Sequence, residues 1–328
     1  MSEQDLTKHW ANQKEKAGGV LGVKILLTIY RIGGRALFLP ILYPVIFCYY
    51  LASKKQRQYS KEFFQNVNCK LQKLGQPCQK FSSFRHFLSF ADMVLDKFNA
   101  WMGKVVIGKN AFYTENSEST IFNFEGGGKV FLCSHLGNVD ALRAIEFKQK
   151  TAVVNAVFFT QNAKQVNSTL KKLAPQANFN VIATDTIGPD TAILLKEKID
   201  KGEIVAIVGD RVPVVKKGVN KHRVVKANFL DMPCNFAQGP FILCSLLKCK
   251  VQLLFGLKNP ESKVIDIVCE DFANPITLSR TNREEDLQKY IQQYANRLEY
   301  YTLKYPYQWF NFFDFFHQDQ QCIKDLNL

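Results

Sequence analysis

From about Asn110 onward, short apolar runs alternate with helical patterns, and this alternation constrains the fold more than any single residue. Val130 to Ser134, Thr151 to Phe159, Asn178 to Thr184 and Glu203 to Asp210 read as strands. Gln161 to Ala174 and Asp190 to Lys201 carry helical spacing between the later ones. Such a pattern forms a largely parallel sheet covered by helices, with sites outside the C-terminal strand ends. A helix over Gly239 to Leu247, a strand pair at Lys250 to Lys258 and Val264 to Glu270, and a long amphipathic helix from Arg283 to Lys304 complete the pattern. The expected class is α/β, a mixed and largely parallel sheet covered by helices.

The chain before Asn110 reads differently. Tyr59 to Trp101 has apolar residues at helical spacing, among them Phe63, Val67, Leu71 and Leu74. Ala36 to Ala52 runs without a charge, with Arg31 and Arg35 before it and Lys54, Lys55 and Arg57 after. As a helix that run extends about 25 Å, short of a hydrocarbon core of about 30 Å, and Pro40 and Pro44 disturb it. Joined to Val20 to Tyr30, it reads as a spanning helix or as a bent element in the membrane interface, and a buried core helix is the alternative. Met1 to Gly19 is polar and lacks the apolar core of a secretory signal. The expected organisation is a helical, membrane-anchoring region at 1–110, an α/β domain at 111–316 and a loose polar tail at 317–328.

Composition removes several functions. The nine cysteines are scattered, with no Cys-x-x-Cys pair, so neither a disulfide framework nor a zinc site is expected. The 43 basic and 29 acidic residues give a net charge of +14, spread along the chain with small clusters at Lys54-Lys55-Arg57, Lys216-Lys217 and Lys221-His222-Arg223. No nucleic-acid recognition motif accompanies them, so anionic membrane phospholipid is the expected partner and nucleic acid is not.

The sharpest chemistry lies at the strand ends. His135-Leu136-Gly137-Asn138-Val139-Asp140 follows the first strand run, and Gly209-Asp210-Arg211 follows the fourth. Five positions do not bring two side chains onto one helical face, but a loop-to-helix transition with Asn138 as N-cap does. Asp140 is then expected to accept from one nitrogen of His135, leaving the other as a base. Backbone N–H groups around Gly137 are expected to face a developing oxyanion. The bland alternative is chance, because a His followed five residues later by an acid is a common coincidence. Asp210 and Arg211 suit a phosphate, carboxylate or sugar hydroxyl, or else form a structural ion pair. Arg143 reads as a support for the dyad. Phenylalanine is abundant at 27 copies, and Phe310, Phe312, Phe313, Phe315 and Phe316 suit either an acyl groove or ordinary packing.

Taken together, these blocks resemble the bacterial lipid A biosynthesis (late) acyltransferase family of lauroyl and myristoyl transferases, with its lysophospholipid-acyltransferase-like relatives. The resemblance runs from His9-Trp10, Glu15 and Gly18 to Pro306-Tyr307-Gln308-Trp309-Phe310-Asn311-Phe312. Between them, His135 and Asp140 match the family's catalytic motif, Gly209-Asp210-Arg211 its second block, and Phe229-Leu230 with Gly239-Pro240-Phe241 a later one. Asp140 replaces a frequent Glu, and Asp231 stands where the family often has Gly.

The resemblance implies a membrane-bound O-acyltransferase at the cytoplasmic face of a bacterial inner membrane. It would move a fatty acyl chain from an acyl carrier protein thioester to a hydroxyl of a lipid A precursor or related glycolipid, without metal or cofactor. His135 and Asp140 would be catalytic, and Gly137, Asn138, Asp210, Arg211 and Phe229 would bind substrate. A lysophospholipid or specialised-lipid acceptor is the enzymatic alternative, and a non-catalytic lipid-binding or assembly protein is the alternative of another class.

Overall fold

The computed structural model describes residues 40–141, 145, 153–159, 179–184, 188–212 and 224–317. By its contacts the chain divides into two compact units, one reaching to Asp92 and including Asn311 onward, the other Met93–Phe310.

In the first unit residues 40–52 are helical, followed by α1 (Lys54–Lys73) and the start of α2 (Ser83–Trp101). Phe63, Phe64, Val67 and Leu71 bury the inner face of α1, at the spacing expected of a helix. His86 is buried beside Phe63, Phe64 and Phe312, and its Nδ1 lies 2.9 Å from Ser60 Oγ. The stretch from Tyr59 to Trp101, read as helical, is divided between these two helices. Gly75, at φ 71°, turns the chain after α1, Pro77 follows, and Leu74 is left exposed.

Residues 40–52 have an unusual surface. Ile41, Tyr43, Val45, Phe47, Tyr49 and Leu51 are all exposed, while Leu42 is buried. Among the described residues no helix is long and apolar enough to cross a membrane. Val20 to Tyr30 lies outside the described residues.

The second unit is α/β. Its strands are β1 (Ala111–Tyr113), β2 (Lys129–Cys133), β3 (Val154–Phe159), β4 (Phe179–Thr184), β5 (Ile204–Val208), β6 (Val224–Phe229), β7 (Met232–Ala237), β8 (Lys250–Lys258) and β9 (Ile265–Ala273). Its helices are α3 (Ser117–Phe122), α4 (Pro189–Asp200), α5 (Gly239–Leu247) and α6 (Arg283–Lys304), besides the end of α2. Seven strands form one sheet in the order β1-β9-β8-β2-β5-β3-β4, parallel at every pairing except β8 with β9. Every residue of β2 is buried, the mark of a parallel strand covered on both faces. Phe131, Cys133, Val154, Ile204, Ala206, Leu254, Ile265 and Ile267 share one core cluster.

One buried charge lies on β2. Lys129 is 1 % exposed, and its Nζ donates to the carbonyls of Ile121 at 2.6 Å, Asn123 at 2.7 Å and Thr120 at 3.3 Å. It thereby satisfies carbonyls that the end of α3 leaves open.

Two parts of the unit were not expected. β1 has only three residues, too few for a periodic signal. Nor did the sequence pattern mark β6, which pairs antiparallel with β7 as a separate hairpin. Its turn residues Leu230 and Asp231 lie at φ 52° and 59°, so Asp231 occupies a left-handed position that Gly also favours.

Candidate active site

Strand register brings the two motifs together. Cys133 at the end of β2 is the register partner of Val208 at the end of β5. Two residues beyond each lie His135 and Asp210, at the C-terminal edge of the sheet. Gly209 N–H donates to the Cys133 carbonyl at 3.0 Å, and so does the hydroxyl of the buried Tyr294 at 2.8 Å.

Asp210 is completely buried and holds His135 at two points. Its Oδ1 lies 2.9 Å from His135 Nδ1, and its Oδ2 accepts the His135 backbone N–H at 3.0 Å. Burial by itself raises the Asp210 pKa, but the His135 charge and hydrogen bonds and the Arg211 guanidinium outweigh it and hold the carboxyl at about 2. An ionised carboxylate only accepts, so Nδ1 carries the imidazole proton and Nε2 keeps its lone pair. The His135 pKa lies below its ordinary value through burial, with Arg211 and Lys97 adding to the effect and Asp210 opposing it. The imidazole therefore stays neutral at pH 7. Its side chain is 34 % exposed, which leaves an edge open to a reactant.

Asp140 does not meet this imidazole. After Asn138 the chain enters a short 3₁₀ turn, Val139–Ala141, and the Asp140 carboxylate pairs with Lys97 Nζ on α2 at 3.0 Å. The expected His135–Asp140 dyad is thus corrected to His135–Asp210. The parallel register fixes Asp210 beside His135, whereas the turn directs Asp140 to α2.

Gly137 likewise has a role other than the one expected. It sits at φ 74°, and a Cβ there would stand 2.3 Å from the Gly256 carbonyl oxygen on β8. Nor do its neighbouring amides face an open site. Leu136 N–H goes to Ser134 Oγ, Gly137 N–H to the Gln308 carbonyl, Asn138 N–H to the Gly256 carbonyl and Asp140 N–H to Asn138 Oδ1. These four amides therefore seat the loop against its neighbours.

The segment after α6 completes that seat. Leu136 bridges to Trp309, and Phe310 N–H donates to the His135 carbonyl at 3.2 Å. Arg211 donates to the Phe310 carbonyl at 3.0 Å, and burial pushes its pKa down to about 10 against the pull of Asp210. Phe229 is fully buried against Trp309, with ring centroids 4.9 Å apart. Its side chain thus supports the wall rather than lining an open surface. Arg143 and the Lys216-Lys217 and Lys221-His222-Arg223 clusters lie outside the described residues.

Sequence reasoning missed Lys97, Tyr294 and the clamp made by Gln308–Phe310. No local signal marks the first two, whereas the aromatic run at Trp309 flagged the third. Among the described residues one group is arranged as metal ligands are, Glu62, Asp314 and His317 in the first unit. There His317 Nδ1 lies 3.1 Å from Glu62 Oε1 and 3.2 Å from Asp314 Oδ1, so the imidazole itself bridges the two carboxylates.

A buried carboxylate and an imidazole fixed in one tautomer, with a lone pair on its second nitrogen, can act as a general base. No protein-family model matches the chain, and no curated protein matches it in sequence.

Proposed function

We propose that the chain is a fatty acyltransferase with His135 as general base and Asp210 as the group that orients it. Nε2 takes the proton of an acceptor hydroxyl while that oxygen attacks the carbonyl carbon of an acyl thioester. As the tetrahedral intermediate collapses, the carbon–sulfur bond breaks. The imidazolium returns the proton to the departing thiolate, giving an ester and a free thiol. Positioned base catalysis of this kind contributes about 10²–10⁴-fold.

The observation that carries this reading is the 2.9 Å contact between His135 Nδ1 and the wholly buried Asp210. The resemblance to lipid A acyltransferases supports fatty acyl transfer over other uses of a base, with an acyl carrier protein thioester as donor and a lipid A precursor or related glycolipid as acceptor. A chain of net charge +14 suits both an acidic carrier protein and anionic lipid. The exposed apolar residues of the 40–52 helix, followed by Lys54, Lys55 and Arg57, suit a helix lying in the interface of an anionic bilayer at the cytoplasmic face of a bacterial inner membrane.

Incubating the protein with radiolabelled lauroyl-acyl carrier protein and total bacterial lipid extract tests the reading. Label is expected in a lipid product whose mass rises by one acyl group. Retention of all label on the carrier, with every extracted lipid unchanged, would overturn it.

A further inference from the structure

Attack on a thioester places negative charge on the carbonyl oxygen, and the amides at Leu136, Gly137, Asn138 and Asp140 are already engaged by protein acceptors. A side-chain donor in that loop is not. Asn138 is 5 % exposed, and among the described residues its Nδ2 is buried without a hydrogen-bond partner. The rest of the residue is held firmly, because its backbone N–H reaches the Gly256 carbonyl at 2.7 Å and its Oδ1 accepts the Asp140 N–H at 3.0 Å. That second bond fixes which end of the carboxamide is the donor, since only the oxygen can accept.

Buried donors are nearly always paired, so an unpaired one on a catalytic loop calls for a partner that arrives with the substrate. Only Leu136 and Gly137 separate it from the base, along a loop pinned to β8 and to Gln308.

Resting on the acyltransferase reading, we propose that the side-chain amide of Asn138 donates to the acyl carbonyl oxygen and stabilises its charge in the tetrahedral intermediate. No proton is transferred. The oxygen's electron pair re-forms the carbonyl double bond as the carbon–sulfur bond breaks and the thiolate carries off the charge, and the Nδ2–H bond remains intact throughout. A preorganised donor of this kind acts on the transition state more than on bound thioester, so its effect falls on kcat.

Two variants separate this from a structural role. Asn138→Asp keeps an acceptor for the Asp140 N–H and removes the donor, whereas Asn138→Ala removes both. Steady-state transfer from lauroyl-acyl carrier protein to extracted lipid is measured for each, with thermal melting alongside. Both variants are expected to lose about 10²–10³-fold in kcat, with KM changed by less than about threefold. Full kcat in folded Asn138→Asp would overturn the proposal while leaving the acyltransferase reading intact. So would a loss that appears in KM alone or tracks the unfolded fraction. Absence of transfer by the wild-type chain would instead remove the reading on which the proposal rests, and the proposal with it.

Discussion

Asp210 grips His135 through both carboxylate oxygens, one on the ring Nδ1 and one on the backbone N–H. The second contact fixes the main chain from which the imidazole projects, so ring and backbone are oriented by the same buried charge. A side chain held at only one point would keep the freedom to rotate.

The electrostatics of this pair set a pH dependence. His135 has a pKa below its ordinary value, so the base form persists to lower pH and the acid limb of kcat/KM is expected below pH 6.5. Arg211 lowers that pKa, hence Arg211→Ala should move the limb upward. Asp210 raises it, hence Asp210→Asn should move the limb downward while cutting the rate. A pH–rate profile of the three proteins checks both signs.

Gly137→Ala should damage the site without touching any reacting group. The added Cβ meets the Gly256 carbonyl oxygen at 2.3 Å, and the φ of 74° is unfavourable for alanine. A loss of about 1–3 kcal/mol in stability is expected. Chemical denaturation measures it, and an unchanged midpoint would contradict the close approach.

Lys129 offers a second stability test. Burial pushes its pKa down to about 8, so between about pH 8 and 10.4 the unfolded chain holds a proton that the folded one has released. Folding stability should therefore rise with pH across that window in the wild type relative to Lys129→Met. At pH 7 the same substitution leaves the carbonyls of Ile121 and Asn123 without their donor, at a cost of about 1–3 kcal/mol.

The membrane reading predicts a simple partition. Wild-type protein should sediment with vesicles containing anionic phospholipid and stay bound in high salt, because exposed apolar side chains rather than charge hold it. Replacing exposed Phe47 and Leu51 by Glu should reduce the bound fraction by about tenfold or more. Equal binding of the variant would remove the 40–52 helix from the contact.

The sheet was legible in the sequence because strand and helix periods are local. Four strand runs and the helices at 239–247 and 283–304 fall where their apolar patterns lie, to within a few residues at the ends. The partner of His135 was not legible in the same way. Spacing along the chain pointed to Asp140, but the contact is made across neighbouring strands 75 residues apart, through a register that no local pattern states. Gly137 was singled out for the backbone N–H groups around it, and the structure adds another use. Its missing side chain admits the Gly256 backbone, a neighbour known only once β8 is placed beside β2.

The most direct test of the account compares kcat for acyl transfer in Asp210→Asn and Asp140→Asn at one pH above the acid limb. Asp210→Asn takes the charge from the imidazole's partner and permits the wrong tautomer, so a loss near 10⁴-fold is expected, roughly the scale seen when a buried orienting carboxylate is neutralised. Asp140→Asn weakens the pair with Lys97 but leaves the imidazole's own carboxylate partner in place, so its kcat should stay within about tenfold of wild type. A loss in Asp140→Asn equal to or greater than that in Asp210→Asn would contradict the assignment of Asp210 as the residue that orients the base.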